Sequence, residues 1–173
     1  LALIIRFGIV LLKVELETPE DFSGVEDLYD ICFSPSRKVL SSYRLRENVK
    51  PIDKLCYLAK NETGSILCAL RYWPIKIQKF KFLLLGPLAV HPTIQAEGHG
   101  NYIINETLTR AEKFGWQAVI LIGDLSYYRQ FNFVIAKSIE FPLPTNPKRT
   151  LIKSLNGFDI SLIKGKVERW GAK

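Results

Sequence analysis

Histidine and cysteine are scarce in this chain. Its 173 residues hold two histidines, His91 and His99, and three cysteines, Cys32, Cys56 and Cys68, with no CxxC pair. No zinc-ligand spacing can be read from so sparse a set, and an odd, unpatterned cysteine count makes no disulfide framework. No metal is therefore expected, and the thiols are expected to be buried and reduced, as in a cytoplasmic protein. Long apolar runs are missing as well. A membrane-spanning helix needs about 20 such residues, and Arg6 interrupts the opening LALIIRFGIVLL. That opening has no basic stretch before it and no small-residue cleavage site after it. Residues 1–11 are thus expected to be an apolar extension, packed as a strand or frayed, and no membrane partner is expected. Repeats, low-complexity tracts and linkers are also lacking, so residues 1–173 read as one domain of ordinary size.

Hydrophobic residues make up 47% and charged residues 24% of the chain, values that exclude a disordered or fibrous protein. The net charge of +7 is uneven. Residues 137–173 hold eight Lys/Arg against three Asp/Glu, and the rest of the chain sixteen against fourteen. These late charges alternate with Leu, Ile, Phe and Val, which fits a solvated strand face. A nucleic-acid partner would rest on charge alone, and none is expected.

Along the chain, Leu12–Glu17 alternates as a half-buried strand. Thr18-Pro19-Glu20-Asp21 is a helix start, with Thr18 as cap, Pro19 at N1 and Asp21 closing a capping box. Phe22, Val25, Leu28, Ile31 and Cys32 follow at helical spacing. Ser34-Pro35-Ser36 breaks this helix, and Arg37–Asn48 reads as a second, more polar one. Leu55–Lys60 and Ser65–Trp73 form a hairpin about Asn61-Glu62-Thr63-Gly64. Lys76–Lys81 is a basic loop or strand end before the apolar strand 82–90. A helix follows Gly100, with Gly115 as its C-cap. Val119–Ile122 is a buried strand, Ser126–Phe131 a short helix, Phe133 onward another strand, and Asn156–Trp170 a strand or hairpin turning near Gly165. The order of elements defines an α/β fold.

The most informative stretch is FLLLGPLAVHPTIQAEGHG, residues 82–100. A buried strand feeds a glycine-containing turn at a helix N-terminus, where unpartnered N–H groups and the helix dipole favour a phosphate. Gly86-Pro87 interrupts the strand, and proline there points to an edge or a bulge. The strand is expected to kink, part from its neighbour, and turn the amides of Leu88, Ala89 and Val90 toward a ligand.

Gln95-Ala96-Glu97-Gly98-His99-Gly100 matches the Gln/Arg-x-x-Gly-x-Gly/Ala signature of the GNAT superfamily of acyl-CoA N-acyltransferases. Ala89-Val90-His91-Pro92 before it supports the match, as does Tyr128-Arg129-Gln130-Phe131-Asn132-Phe133 after it, which resembles the superfamily's Tyr-x-x-x-Gly-Phe segment. Leu45-Arg46-Glu47, Arg71-x-Trp73-Pro74 and Gly123-Asp124 resemble a compact bacterial subgroup of N-acetyltransferases. The resemblance implies a mixed, mostly antiparallel, twisted sheet of six to seven strands with about four helices on both faces. It implies acetyl transfer from acetyl-CoA to a primary amine. Leu88, Ala89 and Val90 would hold the pantetheine arm, and Gln95, Ala96, Glu97, Gly98, His99, Gly100 and Asn101 the pyrophosphate. Tyr128 would protonate the leaving thiolate. Asn132 departs from the usual glycine, although Asn tolerates a left-handed backbone. An alkyl amine, with pKa near ~10.4, must lose a proton before it attacks. Asp124, His91 or a water relay are the candidates for that step. The alternative is a sensor or partner module that binds acyl-CoA without turnover. The acceptor amine is not legible, and the chain is expected to be a monomer or homodimer.

Overall fold

The computed structural model describes residues 3–7 and 10–170, with side chains from position 12 onward. Strands β1 (Leu3–Phe7) and β2 (Val10–Leu16) pair antiparallel. β3 (Tyr57–Lys60) and β4 (Ile66–Ile77) form the expected hairpin, and β5 (Phe80–Val90) returns along β4. β6 (Ala118–Ile122), β7 (Val134–Ile135), β8 (Ile139–Glu140), β9 (Thr150–Ser154) and β10 (Gly165–Arg169) complete the strands. The sheet order is β1-β2-β3-β4-β5-β6-β9-β7, with β10 on the far end of β4 and β8 beside β10. Every pairing is antiparallel except β5 with β6 and β10 with β8.

Mixed α/β architecture and a largely antiparallel sheet are as expected. The ten strands exceed six to seven because β1 extends one edge and because β7 and β8, two residues each, are too short for periodicity to mark.

The apolar runs are buried on both faces, which is why they do not alternate. Leu83, Leu85, Val119 and Leu121 face one core, shared with Ile103, Ile104 and Leu108 of helix α3 (His99–Lys113). Phe82, Leu84, Ala118 and Ile120 face another, with Ile152, Ile163 and Val167. Helix α1 (Phe22–Phe33) packs Val25, Leu28 and Tyr29 onto Leu58, Ala69 and Ala89. Phe22 and Ile31, expected on that buried stripe, are 57% and 58% exposed. The stripe runs through 25, 28, 29 and 32, and both lie on its flank.

Both helix ends carry the chemistry that stops or starts them. The Thr18 N–H and hydroxyl both donate to the Asp21 carboxylate, at 3.0 and 2.9 Å, ahead of α1. At the end of α3, Gly115 N–H donates to Glu112 and Trp116 N–H to Ala111, a Schellman closure with Gly115 at φ +79°.

One expectation fails, and another is met in only one of its two forms. Residues 37–48 do not form a helix; they make a 3₁₀ turn, Pro35–Val39, and one helical turn, α2 (Ser41–Arg44). Leu40 is extended between them, and Arg37 turns inward to Glu26 and Asp30, so no continuous polar helix face can form. Asn156–Trp170, expected as a strand or hairpin, holds the single strand β10 and no hairpin. The strand that pairs with β6 is β9, earlier in the chain, while β10 crosses back to β4 and β8. Its partners are distant in sequence, and local pattern does not name them.

Candidate active site

The opening follows from how β5 is paired. Leu70 opposes Leu88 and Tyr72 opposes Leu85, so Gly86 and Pro87 together face the single residue Arg71. This is a β-bulge. Gly86 needs its φ of +123°, which a side chain would resist. Trp73 Nε1–H donates to the Gly86 carbonyl at 2.9 Å and the Tyr29 hydroxyl to that of Pro87 at 3.2 Å, so both bulge carbonyls are satisfied. On its other edge β5 pairs with β6 only at Leu83 and Leu84. Beyond the bulge the two strands part, as the proline implied.

Amide direction past the bulge is fixed by one bond. His91 N–H donates to the Leu67 carbonyl at 2.8 Å. Alternation then turns Ala89 toward β4 as well, and Leu88 and Val90 toward the parted edge. The Val90 carbonyl on that edge accepts from Gln95 Nε2 at 2.9 Å, tying the strand to the turn.

The turn climbs into α3 through Ala96 (φ +66°) and Gly98 (φ +88°), both left-handed, and no side chain caps the helix. Its first i−4 bond runs from Tyr102 N–H to the Gly98 carbonyl, which leaves the amides of Gly100 and Asn101 directed out of the N-terminus. A Cβ on Gly100 would stand 3.1 Å from the Tyr127 hydroxyl and 3.3 Å from Val90 Cγ2, so only glycine lets α3, β5 and the next helix approach this closely.

A groove of about 540 Å³ runs along Leu88 and Val90 to this turn. Gln95, Ala96, Gly98, His99, Gly100 and Asn101 line it, while Ala89 and Glu97 do not. A second cavity of about 370 Å³ lies on the bulge side and takes in Tyr128, Asp124, Arg46 and Arg149. Phe33, Leu88 and Tyr127 border both, so the two meet at the parted strand.

α4 (Leu125–Tyr128) places the two tyrosines. Tyr128 packs edge-on to Phe133, and a Cβ on Gly123 would lie 2.4 Å from its ring, so Gly123 is the seat of that ring. Burial pushes the Tyr128 phenol well above its ordinary value, with Tyr127 and Asp124 adding to the shift. Tyr127 is more exposed and donates to Asn101 Oδ1 at 2.9 Å, and burial raises its phenol too. Asn132 closes the segment at φ +64°, the left-handed position of the glycine it replaces.

The Asp124 carboxylate is exposed and paired with Arg149, at 3.2 and 3.3 Å. His99 is buried, its Nε2 3.1 Å from Glu97. His91 makes a turn with Thr93 and borders neither cavity. Arg71 borders neither of these two cavities, although it lines two other pockets beside α1. It is buried against Glu17 and Glu26 and ties α1 to the sheet. Sequence reasoning missed Tyr127 as a residue joining the cavities, and it missed Arg46 and Arg37 in the lining of the bulge-side cavity. Both arginines fall in the stretch whose polar pattern predicts a second helix, and that pattern carries no sign that they turn inward. Among the described residues, no cluster of three or more His, Cys, Asp or Glu is placed to hold a metal, and no helix is long and apolar enough to cross a membrane.

A strand bulged at Gly86-Pro87 thus parts from its neighbour beside an uncapped helix N-terminus. No family model matches the chain. In sequence it is 25% identical to the uncharacterized N-acetyltransferase YhbS of Escherichia coli K12 over 125 residues, 71% of this chain and 74% of that protein. The crystal structure of E. coli YhbS in complex with CoA matches with a TM-score of 0.81, at 21% identity, over 95% of this chain and 93% of that one. A GNAT family acetyltransferase from Brucella melitensis in complex with acetyl-CoA matches with a TM-score of 0.69, at 21% identity, over 92% and 96%. The fold is that of the GNAT superfamily.

Proposed function

We propose that the chain transfers an acetyl group from acetyl-CoA to a primary amine. The observation that carries this reading is the parting of β5 from β6 beside the N-terminus of α3. The pyrophosphate rests on the turn from Gln95 to Asn101, where N–H groups and the helix dipole favour negative charge. Gly98 and Gly100 let it approach the backbone. The pantetheine arm runs along the parted edge and pairs with the outward amides of Leu88 and Val90, as an added strand would. Similarity to E. coli and Brucella proteins solved with CoA and acetyl-CoA supports this placement.

The thioester then lies where the two cavities meet, and the amine enters from the bulge side. Its nitrogen bonds to the carbonyl carbon and the carbon–sulfur bond breaks. An edge amide of β5 stabilises the oxyanion, an effect worth about 3 kcal/mol per donor in other enzymes. The sulfur takes a proton from Tyr128, whose raised pKa keeps the phenol protonated at neutral pH. The ammonium gives up one proton to Asp124, or to water ordered beside it, before the attack, and the second proton leaves the nitrogen as the amide forms and restores the Tyr128 phenol, by way of water. Acetyl-CoA supply and three unpaired thiols suit a reducing cytoplasm.

Calorimetric titration with acetyl-CoA, followed by thiol release against an amine panel, tests the reading. Binding with release is the expected result. Binding without release would instead make the chain a sensor of acyl-CoA, and absence of binding would sink both.

A further inference from the structure

Three buried arginines stand between α1 and the bulge, and one differs from the others. Arg37 and Arg71 are 2% and 4% exposed, and each meets two carboxylates: Glu26 and Asp30 for Arg37, Glu17 and Glu26 for Arg71. Arg46 is 9% exposed, and its Nε and Nη1 have no hydrogen-bond partner among the described residues; the Tyr43 hydroxyl beside it has none either. The rings of Tyr43 and Trp73 lie 4.3 and 5.8 Å from its guanidinium carbon and present π-faces to it. Burial draws its pKa down to about 10, as befits a cation without an anion to answer it. A buried charge is costly unless something pairs with it.

Position says where the missing partner comes from. Arg46 borders the 370 Å³ cavity of the bulge side as well as a pocket toward α1 that it shares with Glu26, Glu47 and Arg71, and its Nη2 lies 3.5 Å from the point a Cβ on Gly86 would occupy, on the bulge side. That is the bulge at which the strands begin to part. The other cations of this cavity are already engaged, Arg37 by Glu26 and Asp30 and Arg149 by Asp124.

We infer that Arg46 receives a carboxylate of the acceptor, which makes the acceptor a small amine carrying a carboxylate within a few bonds of its attacking nitrogen. This deepens the acetyl-transfer reading and rests on it. One guanidinium and one phenol O–H match a planar, singly charged carboxylate; a phosphate dianion calls for more donors. The cavity has the volume of a small-molecule site. A carboxylate held at Arg46 leaves the nitrogen directed at the parted strand, with Asp124 on the same wall.

The test uses the intact chain saturated with acetyl-CoA and matched amines: alanine with ethylamine, and phenylalanine with phenethylamine and with its methyl ester. The carboxylate-bearing member of each pair is expected to release thiol with at least tenfold higher kcat/KM. Arg46→Gln should erase that preference mainly through KM, and Arg46→Lys should restore part of it. Equal rates within every pair overturn the inference and leave the transferase reading standing. Release from no amine, with acetyl-CoA bound, overturns the transferase reading, and the carboxylate site is then decided without turnover. N-acetylalanine and its methyl ester are titrated into the coenzyme A complex. Tighter binding of the acid, lost in Arg46→Gln, supports the site, and equal binding overturns it.

Discussion

The two halves of β5 have the same apolar composition and opposite fates. Phe82–Leu85 is flanked by β4 on one side and reaches β6 on the other, with side chains buried on both faces. Leu88–Val90 keeps β4 and loses β6. Only Gly86-Pro87 separates them. An apolar run thus serves as core up to the bulge, where Leu84 and Leu85 also reach the bulge-side cavity, and as the wall of the groove toward α3 beyond it. Backbone pairing, not side-chain character, marks the boundary between stability and function.

Substitutions in the two halves should therefore fail in different assays. The largest effect is expected from Leu84→Ala in the enclosed half. Leu84 is 1% exposed, and the cavity left behind should cost about 3 kcal/mol of unfolding free energy, read from the urea midpoint. Acetyl-CoA affinity measured on the folded fraction should barely change. A loss of affinity as large as the loss of stability would break the contrast.

Next comes Gly100→Val at the open half. Its Cβ meets the Tyr127 hydroxyl, Val90 and Leu88, so the branched side chain has to occupy the phosphate end of the groove. Acetyl-CoA affinity should fall by about a hundredfold, about 2.7 kcal/mol by calorimetry, with a smaller change in Tm.

Tyr128→Phe sharpens the contrast from within the cavity. Turnover under saturating substrates should fall by about tenfold, less than many general acids supply, because a thiolate leaves well unaided. Acetyl-CoA affinity should hold. Gly123→Ala pushes the same ring off its seat and should reproduce that pattern. Unchanged turnover in both would take Tyr128 out of the proton-donor role.

The smallest effect concerns the edge that stays closed. Cys68 opposes Val90 on β4, is 1% exposed, and burial pushes its thiol up from 9.0 to about 12. The folded state keeps this proton where the unfolded chain loses it. Its contribution is complete below about pH 9 and disappears as pH rises toward 12. At pH 10 the loss should be about 1 kcal/mol, and Cys68→Ala should flatten that part of the urea-midpoint profile. A flat wild-type profile from pH 8 to 11 would mean that water reaches this edge too.

Much of the groove could be read from residues 82–100, because each of its devices is local. A proline cannot donate to a ladder, a glycine admits a left-handed backbone, and a helix start leaves amides open. The same holds for the Thr18 box and the turn at Asn61. What escaped was long-range. β9 and β10 are defined by partners far away in sequence, and no period reveals which strand a short apolar run will join. Arg37, Arg46 and Arg71 look alike as letters, yet two are ion-paired and one is not. That difference exists only once α1, α2 and the bulge are assembled. Tyr127 and Tyr128 are likewise equivalent in sequence until Gly123 admits one ring and Asn101 takes the hydroxyl of the other.

The indole of Trp73 donates to the carbonyl of Gly86 and lies 5.8 Å from the Arg46 guanidinium carbon. Indole emission shifts with the electric field around it, so neutralising that cation changes its colour. The protein therefore contains its own optical gauge of whether an anion has arrived beside the parted strand, and occupancy can be followed by fluorescence without attaching a dye.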